Sequence, residues 1–229
     1  MKPRAMIEAK NIHKTYHDGK KSLEVLRGID IKVDAGKFTV IVGPSGAGKS
    51  TLLHILGGLD TPTQGKVIFE DKDMYELSDN ALSKIRNTRI GFVFQFYHLL
   101  SEFTVLENVL MPGLIHAQSR KNSAALHKEA VHFLSLAGLK NRLTHFPSQL
   151  SGGEKQRVAI VRGLINTPKV LFCDEPTGNL DSRTGDEIFA LIRQIHRQNT
   201  MAVVMVTHNL ELAKQADKVY HLKDGIFAH

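Results

Sequence analysis

The sequence predicts an α/β fold built on a mainly parallel sheet, and three observations carry that reading. Near-continuous apolar runs stand at 38–42, 170–173 and 201–206, with helical periodicity following each. Strands buried on both faces of a parallel sheet read this way. A glycine-rich segment, Gly43-Pro44-Ser45-Gly46-Ala47-Gly48-Lys49-Ser50, joins the first run to a helical stretch. Two carboxylates, Asp174 and Glu175, stand where the second run ends, at the sheet edge where open α/β folds place ligands.

Taken in order, the elements follow from period and punctuation. Short strand-like alternations are expected at 6–9, 23–26 and 29–33, separated by turn signals at His17-Asp18-Gly19 and Asp34-Ala35-Gly36. A helix starts at Thr51, a strand covers 65–69, a short helix 78–86 is capped by Ser78 or Asp79, and 90–94 returns to strand. From about 104 to 166 the period is helical. Asn122 caps a helix that runs to Ala137, with Leu126, Ala130, Phe133, Leu134 and Ala137 on its apolar face and Gly138 at its stop. A second helix begins at Ser151 or Gly152 and carries Val158, Ile160, Val161 and Leu164. Beyond Pro168, strand and helix alternate again. The helix 181–198 sets Ile188, Phe189, Ile192 and Ile195 on one face, and a last hairpin turns around Lys223-Asp224-Gly225.

Composition bounds the rest. The 229 residues suffice for a real core, with 42% hydrophobic and 23% charged residues. No apolar run approaches the ~18 residues of a membrane span. Glu8 and Lys10 fall where a signal peptide needs an apolar stretch. The single cysteine, Cys173, excludes an internal disulfide. A cytoplasmic location is therefore expected. The net charge of +7 is scattered and no basic run interleaves with aromatics, so no nucleic-acid partner is expected. The twelve histidines are spread singly, without metal-ligand spacing.

The chemistry lies in the glycine-rich segment and the strand end. The segment fits the phosphate-loop pattern at every fixed position. Its glycines let successive N–H groups point at one phosphate chain, helped by the partial positive charge of the helix N-terminus. Lys49 reaches the terminal phosphates, and the Ser50 hydroxyl holds the Mg²⁺ that bridges them. Asp174 then organises the Mg²⁺ shell, and Glu175 orients or deprotonates a water for in-line attack on the γ-phosphate.

Leu150-Ser151-Gly152-Gly153-Glu154-Lys155-Gln156-Arg157 resembles the signature motif of the ATP-binding cassette (ABC) ATPases. Other elements match that family in order: Tyr16 is similar to the aromatic residue that stacks on adenine, Gln95 to the glutamine that senses Mg²⁺, Asn179-Leu180-Asp181 to the dimer-contacting loop, and His208 to the switch histidine. The resemblance implies a P-loop NTPase (RecA-like) core with an N-terminal antiparallel β subdomain and an inserted α-helical subdomain. It implies one domain over 1–229, with 1–95 and 167–229 forming the core and 96–166 the helical lobe. It further implies ATP and Mg²⁺ as cofactors, with Tyr16, Gly43, Pro44, Ser45, Gly46, Ala47, Gly48, Lys49, Ser50, Thr51 and Gln95 on the nucleotide. Ser50, Gln95 and Asp174 would serve the metal, and Glu175 and His208 the hydrolysis. Ser151, Gly152 and Gly153, at a helix N-terminus, form a second anion site that in this family closes on ATP held by the other subunit of a dimer.

The stretch from Phe94 to Pro112 is similar to that of the ATP-binding subunits of lipoprotein-releasing systems. This resemblance implies a homodimer that forms on ATP and drives separate membrane permease subunits from the cytoplasmic face of a bacterial inner membrane. Ser101, Gly163 and Cys173 depart from the residues common there. Related subfamilies, which export macrolides or transmit force in cell division, share much of the pattern.

Overall fold

The computed structural model describes residues 5–19, 21–117 and 123–228. In chain order the regular elements are β1 (Ala5–Asp18), β2 (Lys21–Asp34), β3 (Phe38–Val42), α1 (Lys49–Leu56), β4 (Gln64–Phe69), β5 (Lys72–Asp73), α2 (Asp79–Arg89), β6 (Ile90–Val93) and α3 (Val105–Ala117). Then follow α4 (Ser123–Leu136), α5 (Gly152–Leu164), β7 (Val170–Asp174), α6 (Ser182–Gln198), β8 (Ala202–Thr207), α7 (Leu210–Ala213), β9 (Lys218–Lys223) and β10 (Ile226–Phe227). The chain divides into two compact units, residues 1–86 with 200–229 and residues 87–199.

The first unit begins with an antiparallel sheet in the order β2-β1-β4-β5. Three short strands are expected before residue 34, but the structure has one long hairpin, paired from Ala5↔Asp34 to Asp18↔Lys21. The reason lies in register shifts, one of them between Ala9 and Ile12. Ile7, Ala9 and Ile12 are buried while Lys10 and Asn11 are exposed, so the extra residue breaks the alternation without ending the strand. In the same unit β3 pairs in parallel with β8 and with β9, and β10 closes antiparallel on β9. Every residue of β3 and β8 is buried, which is why these runs read as continuously apolar.

The second unit pairs β6 with β7 in parallel, from Ile90↔Val170 to Val93↔Cys173. Helices α3, α4 and α5 enclose a core that includes Val105, Val109, Leu126, Leu134, Val158 and Val161. Helix α4 ends at Leu136, where Gly138 takes φ 76° and Leu139 N donates to Leu134 O at 2.8 Å, a left-handed stop of the expected kind. The expected cap, Asn122, lies outside the described residues. Helix α2 runs on to Arg89 rather than stopping near 86. Asp181 caps α6, accepting from Thr184 N at 3.0 Å.

Candidate nucleotide site

In the first unit, Val42 pairs with Thr207 in the parallel register. Gly43 and His208 therefore leave the sheet at the same edge, although 165 positions separate them in sequence. Gly43 sits where a Cβ would come 2.1 Å from Leu222 O, so the loop can start there only because it has no side chain. Gly48 is the N-cap of α1 with φ 97°, a conformation that costs an L-residue roughly 1–2 kcal/mol. No side chain caps this helix and its first turn carries no acid, so its opening N–H groups suit an anion. The Lys49 ammonium is buried and donates to the carbonyls of Gly43 and Pro44, each at 2.9 Å. His208 is exposed, on a loop tightened by the Asn209 N to Thr207 Oγ1 bond of 3.0 Å.

Tyr16 belongs to a cluster that the motifs did not announce. Its hydroxyl donates to Asp60 Oδ2 at 2.7 Å, and Lys14 Nζ donates to Asp60 Oδ1 at 2.6 Å. The same ammonium lies 4.7 Å from the centroid of the Tyr16 ring, in cation–π range. Partial burial, then the neighbouring Asp60, push the phenol above its ordinary value. Burial also raises Asp60, but the bonds from Lys14 and Tyr16 outweigh it and hold the carboxyl low. The structure thus brings Tyr16 onto Asp60, 44 positions away, and no local signal marks Asp60 or Lys14.

In the second unit, Val93 pairs with Cys173, so Gln95 and the Asp174-Glu175 pair follow adjacent strand ends. Glu175 has φ 44°, a left-handed conformation rare outside glycine and characteristic of functional sites. A turn holds it, with Gly178 N donating to Glu175 O at 3.0 Å. Gln95 Nε2 donates to Asn179 Oδ1 at 3.0 Å, and Asn179 Nδ2 donates to Gln95 O at 3.1 Å. Burial pushes the Cys173 thiol far up, which leaves it an inert packing group.

Ser151 is the N-cap of α5, and a capping box closes the helix start. Ser151 N donates to Glu154 Oε2 at 2.9 Å and Glu154 N donates to Ser151 Oγ at 3.3 Å. Arg142 Nε donates to the other carboxylate oxygen at 2.8 Å. First through that bond, then through Ser151 N, the Glu154 carboxyl is pulled down to about 2. Gly152 packs so that a Cβ would sit 3.1 Å from Tyr97 Oη. From the same helix, Arg162 donates to the Tyr97 carbonyl at 2.7 Å and also to that of His98, while Gln156 Nε2 donates to Phe94 O at 3.3 Å. The segment after Gln95 is thereby tied to the helix that carries Ser151.

A nucleotide-binding cassette is the class these parts define. The family model described as ABC transporter matches residues 26–178, and the chain belongs to that family. It is 50% identical over 222 residues to the lipoprotein-releasing system ATP-binding protein LolD of Shewanella frigidimarina, covering 97% of this chain and 92% of that protein. The LolD protein of Syntrophotalea carbinolica is 48% identical, over 96% of both chains. Among solved structures, a dimeric post-hydrolysis state of the ATP-binding cassette MJ0796 bound to ADP and Pi superposes with a TM-score of 0.90 at 39% identity, over 98% of this chain and 97% of that one.

Proposed function

We propose that the chain is the ATP-hydrolysing subunit of a lipoprotein-releasing ABC transporter. It works as an ATP-dependent homodimer on the cytoplasmic face of a bacterial inner membrane. The observation that carries this reading is the near full-length likeness to proteins named for that system. Among the described residues no helix is long and apolar enough to cross a membrane. The naming of the relatives as the ATP-binding proteins of a releasing system supports separate permease subunits for the membrane-embedded work. Moving an acylated protein out of a bilayer calls for an energy source, since each acyl chain buries about 0.8 kcal/mol per CH₂.

The residues divide the work. Tyr16 stacks on adenine, and the loop from Gly43 to Thr51 cradles the phosphates, which compete with the Gly43 and Pro44 carbonyls for the Lys49 ammonium. Glu175 orients the attacking water and accepts its proton as the water oxygen bonds to the γ-phosphorus. The bond to the β–γ bridging oxygen breaks, leaving its charge on ADP. His208 holds the γ-phosphate in line. Ser151, Gly152 and Gly153 close on the nucleotide of the other subunit.

Among the described residues no three His, Cys, Asp or Glu side chains converge as a ligand set. Mg²⁺ keeps several of its waters and takes a few hard oxygen ligands, one or two of them carboxylates, beside phosphate oxygens. The Ser50 hydroxyl, the Gln95 amide oxygen and the Asp174 carboxylate are hard oxygen donors of the required kind. When bound, the ion neutralises charge that develops on the phosphates.

Glu175→Gln tests the catalytic assignment. Hydrolysis is expected to fall by about 10²-fold or more while ATP binding persists and an ATP-bound dimer accumulates in size-exclusion chromatography. Hydrolysis at the parental rate would overturn it. Co-purification from membranes tests the system: a permease pair that binds lipoprotein is expected, and capture of a cell-division membrane protein in its place would refute it.

A further inference from the structure

We propose that Asn179 is a positioning residue that fixes which end of the Gln95 side-chain amide meets the divalent cation; this rests on the reading of Gln95 as a ligand on the metal side. The two ends of a glutamine amide are nearly equal in size, but only the oxygen can ligate a hard cation. An unrestrained amide presents either end.

The hydrogen bonds remove that freedom in two steps. The Gln95 backbone carbonyl can only accept, so the end of Asn179 that lies 3.1 Å from it is the NH₂ group. Asn179 Oδ1 is then the end that faces the Gln95 side chain. An oxygen there needs a donor, so the Gln95 atom 3.0 Å away is Nε2. The nitrogen end is thus committed, and Oε1 is the end left to a ligand. Both amide orientations follow from one backbone carbonyl.

The neighbouring backbone presses on the same amide. A Cβ at Gly178 would come 2.9 Å from Gln95 Nε2, so the chain beside Asn179 lies directly against it. The loop keeps this shape through Gly178 N to Glu175 O at 3.0 Å and Leu180 N to Thr177 O at 3.2 Å. Asn179 itself is exposed, so its truncation leaves no hole in the core.

The test uses Mn²⁺ as probe on the full-length protein with ADP, reading free Mn²⁺ by electron paramagnetic resonance. Asn179→Ala, Gln95→Ala and the double variant are compared, with ADP affinity in EDTA measured beside them. Asn179→Ala is expected to weaken Mn²⁺ roughly tenfold, as loss of an outer-shell partner does, with metal-free ADP affinity unchanged. In the Gln95→Ala background the same change is expected to add nothing. An Asn179→Ala variant that holds Mn²⁺ like the parent, while Gln95→Ala does not, overturns the positioning role alone. Equal weakening in both backgrounds, or a parallel loss of metal-free ADP binding, also overturns it. If Gln95→Ala itself leaves Mn²⁺ affinity unchanged, the metal-side reading of Gln95 fails and the inference with it.

Discussion

Asp60 shows how a single carboxylate can hold a ring, here the one proposed above to stack on adenine. It accepts from the Tyr16 hydroxyl and from Lys14, whose side chain is only 11% exposed, so the ring is tethered at its hydroxyl. Asp60→Ala removes both bonds and leaves the Lys14 ammonium its bond to the Thr61 carbonyl at 2.7 Å. We predict that ATP affinity falls about threefold to tenfold, equivalent to the roughly 0.6–1.4 kcal/mol of one ordinary hydrogen bond, while the affinity for inorganic triphosphate stays as it was. Isothermal titration with both ligands checks this. Equal loss for both would mean that Asp60 supports the phosphate loop and not the ring.

At the scale of elements, helix α5 is fixed at its start by charge and along its length by close approach. Arg142 holds the Glu154 carboxyl at about 2, well below its ordinary 4.5. A lowered folded-state pKa stabilises fully above the unfolded value and loses that contribution as pH falls through the folded one. Arg142→Ala should therefore cost stability above about pH 4.5, with the gap to the parent closing as pH falls towards 2. Arg142 is 42% exposed, so screening keeps the cost near 1 kcal/mol. Urea unfolding at pH 7, 5 and 3 checks the trend, and a gap that widens in acid would contradict it. Farther along, a Cβ at Gly91 would lie 2.2 Å from Gly163 O, whereas one at Gly163 would lie 3.0 Å from Phe92 O. Gly91→Ala must push strand and helix backbones apart and should cost about 2–3 kcal/mol. Gly163→Ala should stay within about 1 kcal/mol of the parent, because its gain in helix propensity offsets a tight contact. Thermal unfolding of the two variants gives the ranking, and a larger loss at Gly163 would reverse it.

For the whole molecule, the decisive question is how many chains make one site. If Ser151-Gly152-Gly153 serves the nucleotide of a second copy, lesions on different chains should complement. A dimer of one Lys49→Ala chain and one Ser151→Arg chain puts both lesions in the same composite site and leaves the other intact. Mixing the two variants should therefore restore ATPase activity to roughly a quarter of the parental rate, from random pairing and one working site in each mixed dimer. Each variant alone should remain inactive. A mixture no more active than its parts would place the whole site within one chain.

The sequence was most legible where chemistry is local. Residues 43–50 and 150–157 each carry their meaning within eight positions, because a phosphate cradle and a capped helix start are built from consecutive backbone groups. The strands β3, β7 and β8 were equally plain, since burial on both faces leaves an unbroken apolar run. The hairpin β1–β2 was not, because its bulges interrupt the alternation that marks a strand. Helix α4 starts at Ser123, in keeping with a helix that follows Asn122, which itself lies outside the described residues.

What the sequence determined by itself was therefore the architecture, the phosphate loop, the acidic strand end and the family. Tertiary structure decided which side chains hold those parts in register: Asp60 and Lys14 under Tyr16, Arg142 on Glu154, Asn179 on Gln95. The physical reason is range. A motif is a contiguous run of backbone, while each of these bonds joins residues that only the folded chain brings within 3 Å or so of one another.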